Sequence, residues 1–448
     1  MSEPVRFSQT PEHLRNLAAQ VLDIAKRQGA TAVEVEVSEG FGQNVTIRLG
    51  ETETIEHNRD KDMGLTVYFG ERRGNASTSD FSASAIEDTV RAACTIARQT
   101  ADDPFAGLAD PARLAGPVIV DPGLFHPWDV SVEEACEIAL ACEAAAMAVD
   151  PRIKNSEGSA FSNHASQFVY ANSNGFMGGY ATTHYSLGCT VIAGEGEGMQ
   201  RDYWYTSARN REGMESFEHV GKTAGERTVR RLDARRLSTR KVPVLFEAPI
   251  SGGLFGSFVS AISGGSLYRK SSFLQDSLGQ EVFASHVGIY EDPFIPLGMG
   301  SSPFDNEGVA TRARDVVKEG KVQGYFLGSY SARKLGMETT GNAGGAHNLR
   351  ITDTGHDFKA LLREMGSGLL VTDMLGHGVN GVTGDYSRGA AGFWVENGEI
   401  AWPVQEITIA GNLKSMFKEI RAIGNDRLPR GSRLVGSVLV DGMTVAGE

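Results

Sequence analysis

Ten histidines and four cysteines are the side chains best suited to hold a metal or attack a substrate. Their spacing matches none of the common catalytic patterns. No histidine is followed by glutamate, so the helical His-Glu-x-x-His of zinc peptidases is absent. Cys94, Cys136, Cys142 and Cys189 form no C-x-x-C pair, and no cysteine lies beyond residue 189. They read as small buried hydrophobes in a reducing compartment. There is no G-x-S-x-G nucleophile elbow and no G-x-x-x-x-G-K-[ST] phosphate loop. His347, His356 and His377 share the C-terminal part with Asp353, Asp357 and Asp373. They could converge on a metal, but not at the spacing of a known ligand set, and turn-satisfying side chains are the favoured reading.

Two polar, glycine-dense loops hold the remaining candidates. Residues 337–348 (METTGNAGGAHN) include Gly344, Gly345, His347 and Asn348. Residues 376–389 (GHGVNGVTGDYSRG) include His377, Asn380, Asp385 and Tyr386. Glycine lets backbone approach a peptide or another chain closely, and it also makes tight turns. Both readings stand. The second loop contains a G-x-G-x-x-G, but turn and strand follow it rather than a helix, so dinucleotide binding is excluded.

The elements that must position these loops follow from pattern. The chain has 448 residues and 54 glycines, about 12% against an average near 7%. Of these, 33 lie in residues 251–448. The net charge is −13, which opposes nucleic acid or an anionic membrane as a partner. No apolar run suits a signal peptide or a membrane span, so a cytoplasmic protein is expected. Leu14, Leu17, Ala18, Val21, Leu22 and Ala25 mark a helix capped by Thr10 and Pro11. Ile86, Val90, Ala93, Cys94 and Ala97 mark a second, and Ser131 with Glu134 opens a third. Between the first two, four short strands are expected, around Val33–Val37, Val45–Leu49, 52–58 and 65–69. A strand-rich stretch covers 153–208, and a helix covers 212–232. Residues 227–241 hold seven basic side chains against Asp233, which reads as a solvated helix end and linker. Beyond residue 241, short strands alternate with turns at Glu319-Gly320, Asn397-Gly398 and Asp441-Gly442, with helices at 358–365 and 413–423. The fold class is α+β, with N-terminal antiparallel sheets flanked by helices and a C-terminal β-rich, barrel-like domain. The expected division is 1–110, 111–240 and 241–448.

Residues 378–413, GVNGVTGDYSRGAAGFWVENGEIAWPVQEITIAGNL, closely resemble the C-terminal signature of the PmbA/TldE branch of the TldD/PmbA family. Residues 337–348, 155–162 (NSEGSAFS) and 247–258 (EAPISGGLFGSF) extend the resemblance across essentially the whole chain. The resemblance implies a subunit of a cytoplasmic zinc metallopeptidase complex that trims or degrades peptides, including leader peptides. An older family name is modulator of DNA gyrase. In the metal-bearing subunit a helical His-Glu-x-x-x-His and a C-terminal cysteine hold the zinc. Here the matching stretch is 246–251: Phe246 and Ser251 replace the histidines, Glu247 is retained, and the cysteine is missing. The resemblance therefore implies no cofactor in this chain and zinc in a TldD-like partner. It implies a heterodimer that grips extended peptides through glycine-rich backbone. A non-catalytic peptide-binding or regulatory homo-oligomer, such as a homodimer, is the alternative. A third reading is an independent hydrolase using Glu247 with His347 or His377.

Overall fold

The computed structural model describes residues 7–116 and 120–447. Helix α1 (Pro11–Arg27) starts as expected: Thr10 accepts the N–H of His13, and Pro11 fills the first turn. Two long antiparallel strands follow, β1 (Ala32–Arg48) and β2 (Glu51–Phe69), then β3 (Arg72–Thr78) and helix α2 (Ala83–Gln99). Helix α3 (Val132–Met147) is capped by Ser131. Strands β4 (Ile153–Asn172), β5 (Met177–Gly178), β6 (Ala181–Ala193) and β7 (Gln200–Ala208) lead to helix α4 (Phe217–Arg230). All seven strands form one antiparallel sheet, ordered β3-β2-β1-β4-β6-β7 with β5 beside β4. Strands from both sides of residue 110 thus share a sheet.

The four short strands expected in residues 33–69 are two long ones. The alternation never breaks in β1: odd-numbered residues face the helices from Val33 to Ile47. What changes is the partner. Val33, Val35 and Val37 pack with α1 and α2, whereas Val45 and Ile47 pack with α3 and α4. Between them, Glu39, Phe41 and Gln43 bridge two cores, so the apolar pattern lapses while the ladder continues.

Strand β8 (Arg240–Phe246) opens the C-terminal part, followed by α5 (Ala248–Ala261) and α6 (Gly264–Tyr268). A second sheet is built from β9 (Ile289–Asp292), β10 (Arg314–Lys318) and β11 (Lys321–Val322). After α7 (Ser329–Leu335) it gains β12 (Asn348–Ile351). The chain continues through α8 (Phe358–Met365), β13 (Gly368–Leu375), β14 (Asp385–Glu396), β15 (Glu399–Asn412) and α9 (Leu413–Lys418). It ends with β16 (Ile420–Ile423), β17 (Arg433–Leu434), which joins the second sheet beside β12, and β18 (Val438–Ala446). Strands β8, β13, β14, β15 and β18 close a five-stranded barrel, with β16 attached to β18. Phe246, Leu369, Val371, Val438 and Val440 point to the main core beside α5, and Leu245, Leu370 and Leu439 to α8. Apolar residues on both faces explain the continuous runs VLF, LLV and VLV.

Two of the expected turns are hairpins with both residues at positive φ: Glu319-Gly320 (50° and 75°) and Asn397-Gly398 (53° and 78°). Asp441-Gly442 is instead a bulge inside β18, where the pairing with β8 slips between Val440 and Met443. The helix expected over 413–423 stops at Lys418, because β18 captures Ile420–Ile423 as a strand.

Helices α3 and α4 meet through glycine. A Cβ on Gly221 would lie 1.9 Å from the Cys142 carbonyl, and one on Gly225 2.6 Å from that of Ala146. Gly221→Ala should destabilise the protein by about 3 kcal/mol, the upper end for overpacking, even though alanine favours the helix. A urea denaturation midpoint at or above wild type would contradict this packing.

Candidate functional site around Glu247

Glu247 ends β8 and is the N-cap residue of α5, with Pro249 in the first turn. Its main-chain N–H donates to Val371 on β13 (3.0 Å). Its carboxylate accepts from Arg227 Nη1 at 2.8 Å. Arg227, at the end of α4, also reaches Asp202 on β7 (Nε–Oδ1 3.4 Å) and donates to the Thr372 carbonyl. Arg231 pairs with Asp373 at 3.2 Å and with Asp202 at 3.7 Å. Two arginines and three carboxylates thus form one shielded network between the sheet and the barrel. Burial pushes the Glu247 carboxyl up, and Arg227 opposes that shift. Burial works against the Arg227 charge, yet Glu247 and Asp202 together hold its guanidinium above its ordinary value.

The basic run is solvated only in part: Arg235, Arg236, Arg240 and Lys241 are exposed. Arg227 and Arg231 are buried ion-pair members. Arg230, Arg235 and Arg240 lie over Phe393, Trp402 and Trp394 at 4.8, 5.3 and 5.1 Å.

The residues at the resemblance's zinc positions do not fit a zinc ion. Phe246 is 1% exposed in the barrel core and offers no lone pair. Ser251 is fully buried, and its hydroxyl donates to the carbonyls of Gly436 (2.9 Å) and Ala248 (3.1 Å). The Glu247 carboxylate faces a guanidinium. Among the described residues no group of three His, Cys, Asp or Glu side chains is placed to hold a metal. His356 bonds Thr354, Asp353 pairs with Arg427, Asp357 caps α8 and Asp373 pairs with Arg231.

The two glycine-dense loops occupy different places. Gly344, Gly345 and His347 line a cleft of about 240 Å³ with Tyr180, just before β6, and Arg209, just after β7. His347 is nearly buried: its Nε2 lies 2.9 Å from the Gly341 carbonyl and its N–H donates to Glu291. Asn348 is a brace, bonding Ser301, the Asp292 carbonyl and the Gly300 N–H. Gly344 has φ 101°, and a Cβ there would fall 2.6 Å from Asn306. In the second loop, His377 and Asn380 are exposed. The Asn380 carboxamide accepts from the N–H groups of Val382 and Thr383. Asp385 accepts from Thr383 Oγ1 and Asn412 Nδ2, which hold its carboxyl low. Tyr386 is buried, and burial pushes its phenol up to about 12. Leu375, Val379 and Val382 leave an apolar tip exposed.

Residues 33–97, 125–232 and 239–447 match domain 1, the central domain and the C-terminal domain of the PmbA/TldA metallopeptidases. The chain is 48% identical to Metalloprotease PmbA of Escherichia coli O157:H7, over 97% of this chain and 96% of that protein.

The chain belongs to the PmbA/TldD metallopeptidase family, as a PmbA/TldE-type protein.

It is also 46% identical to the Metalloprotease PmbA homolog of Haemophilus influenzae, over 98% of this chain and 97% of that one. Its fold matches a Bacteroides thetaiotaomicron structure described as a modulator of DNA gyrase. The TM-score is 0.93 at 28% identity, covering 98% of this chain and all of that one. TldE from Thermococcus kodakarensis shares the fold, with a TM-score of 0.81 at 18% identity over 96% of this chain and 100% of that one. Among the described residues no helix is long and apolar enough to cross a membrane.

Within this PmbA/TldD chain, Arg227 and Asp202 were missed as members of the Glu247 site. Arg227 and Arg231, one helical turn apart at the end of α4, were the available signal. Arg227→Gln should cost about 3 kcal/mol or more by stranding buried carboxylates, and Arg227→Gln/Glu247→Gln should recover part of it. Equal stability of the single and double variants would remove Glu247 from the network. Asp305 supplies a pH test. It accepts the N–H groups of Glu307, Val309 and Ala343, and burial lifts its carboxyl from 3.8 to about 6. The folded value lies above the unfolded one, so the stability it contributes is full below about pH 4 and lost as pH rises through about 6. The stability difference between wild type and Asp305→Asn should change across that window and be level above it.

Proposed function

We propose that this chain is the partner subunit of a cytoplasmic two-subunit peptidase, and that a TldD-like chain carries the zinc. The observation that carries this reading is the pairing of Glu247 with Arg227, between Phe246 and Ser251. The glutamate that would activate a metal-bound water is matched instead to a fixed organic cation, with no zinc ligand on either side. On this reading the chain holds no catalytic metal. It encloses the partner's active site and helps to hold an extended peptide.

Two surfaces support the partner role. The exposed tip Leu375, Val379 and Val382 sits in the loop that carries the family signature. Residues 51–62 of β2 are exposed, and β3 pairs only with Met63–Phe69 beyond them. That leaves an open strand edge of the kind that pairs with extended chain, while its charges guard against indiscriminate pairing.

Co-expression with a TldD-like chain should yield a stable complex that hydrolyses unstructured peptides and contains zinc. This chain purified alone should contain no stoichiometric zinc and cleave nothing. Glu247→Gln in this subunit should leave the activity of the complex largely intact. A loss of about a hundredfold or more, the size of a lost general base, would place Glu247 in catalysis. Failure to form a complex, with a stable homo-oligomer instead, would favour the peptide-binding reading without hydrolysis.

A further inference from the structure

The first two turns of α5 border a cleft of about 210 Å³ that the Glu247 network does not fill. Arg430 lines it. Its side chain is 7% exposed, and only Nη2 has a partner, Glu215 at 2.8 Å. Nε and Nη1 are buried with no hydrogen-bond partner. The guanidinium carbon lies 3.8 Å from the Trp204 ring centroid and 4.7 Å from that of Tyr205. Two unpaired donors on a buried cation are costly unless something supplies acceptors.

Three further features point to what that something is. Arg433 also lines the cleft, and no carboxylate pairs with it among the described residues. No acidic side chain lines the cleft at all. The positive end of α5, a 14-residue helix, faces it through Ala248 and Pro249. The helix contributes field rather than donors: the Ala248 N–H is taken by Ser437 and Pro249 has none.

The glycines of α5 complete the case. A Cβ on Gly256 would meet the Arg433 guanidinium at 3.2 Å, so that exposed side chain would have to give way by a few tenths of an ångström. A Cβ on Gly253 would meet nothing within 4 Å. A helix-interior glycine costs about 1 kcal/mol against alanine, so folding alone gives no reason for it. It keeps the cleft open beside the arginines.

We propose that this cleft is an oxyanion-binding site in which Arg430 and Arg433 hold a carboxylate or phosphate group over the start of α5. A small shift of the Arg430 side chain would bring one of its unpaired N–H groups to an acceptor oxygen, and the second oxygen would pair with the Arg433 guanidinium. The volume suits one small group, such as the C-terminal residue of an extended peptide or free inorganic phosphate. The site belongs to this chain alone and does not rest on a TldD-like partner.

Isothermal titration of the full chain would test this with three probes: tetra-alanine, its C-terminal amide, and inorganic phosphate. Tetra-alanine bound about tenfold or more tighter than its amide, the size of a lost charge-assisted hydrogen bond, would identify a peptide carboxylate as the source. Saturable phosphate binding without tetra-alanine binding would identify a free oxyanion. Arg433→Gln should weaken the bound probe about tenfold. Gly253→Leu should abolish its binding while keeping or raising the thermal midpoint, which separates a blocked cleft from a damaged fold. Binding of neither anion, or binding unchanged in both variants, would overturn the proposal.

Discussion

Five charged side chains withdrawn from water at one junction constrain much of the rest of the molecule. Removing ions from water costs several kcal/mol each unless opposite charge is close and well oriented. Arg227 and Arg231 come from the end of α4, Asp202 from β7, Asp373 from β13 and Glu247 from the start of α5. None can move without stranding another. The sheet and the barrel are therefore fixed against one another here. A second layer extends the junction: Glu215 accepts both Trp204 Nε1 and Arg430 Nη2, and Arg430 stacks on Trp204.

The glycine excess serves close packing as much as turning. Gly392 on β14 would place a Cβ 1.9 Å from the Leu370 carbonyl, and Gly378 one 1.6 Å from that of Ser387. At such points the barrel and its loops admit no side chain. The acidity has a similar local exception. A chain of net charge −13 gathers arginines beside the barrel, where carboxylates pair with Arg227 and Arg231 and aromatic faces lie against Arg230, Arg235 and Arg240. Arg430 and Arg433 are the two at the α5 cleft left without full compensation.

Helices α1, α2 and α3 were legible in the sequence because each meets a single core face and carries a side-chain cap, Thr10, Ser82 and Ser131, whereas α5, α6 and α7 have no such cap. The barrel-like C-terminal domain was legible from its turns and apolar runs. Strand lengths were not, because β1 crosses from one helix pair to another and its apolar pattern lapses at Glu39–Gln43 while its pairing does not. Asp441-Gly442 looked like a hairpin because a bulge uses the same residues as a turn. The site was only half visible. Phe246, Glu247 and Ser251 could be placed by resemblance, but Asp202 and Arg227 join the Glu247 network from distant parts of the chain. His347 and Asn348 stood out as candidate binding residues, and both also brace backbone, His347 at Gly341 and Asn348 at Asp292 and Gly300.

Loss of metal ligands changes charge as well as geometry. On the reading proposed above, a glutamate that would sit beside a divalent cation sits beside Arg227, which supplies positive charge without an open coordination position. A guanidinium is permanently charged and donates fixed hydrogen bonds, so it can preserve the architecture around α5 while offering nothing that activates water. On the same reading, organic cations continue outward from Arg227. Arg430 and Arg433 give the start of α5 a positive surface that can orient an anionic group but cannot polarise a peptide bond for attack as a metal would. On that same reading, a subunit built this way keeps the means of positioning part of a peptide in a fold whose chemistry comes from its partner.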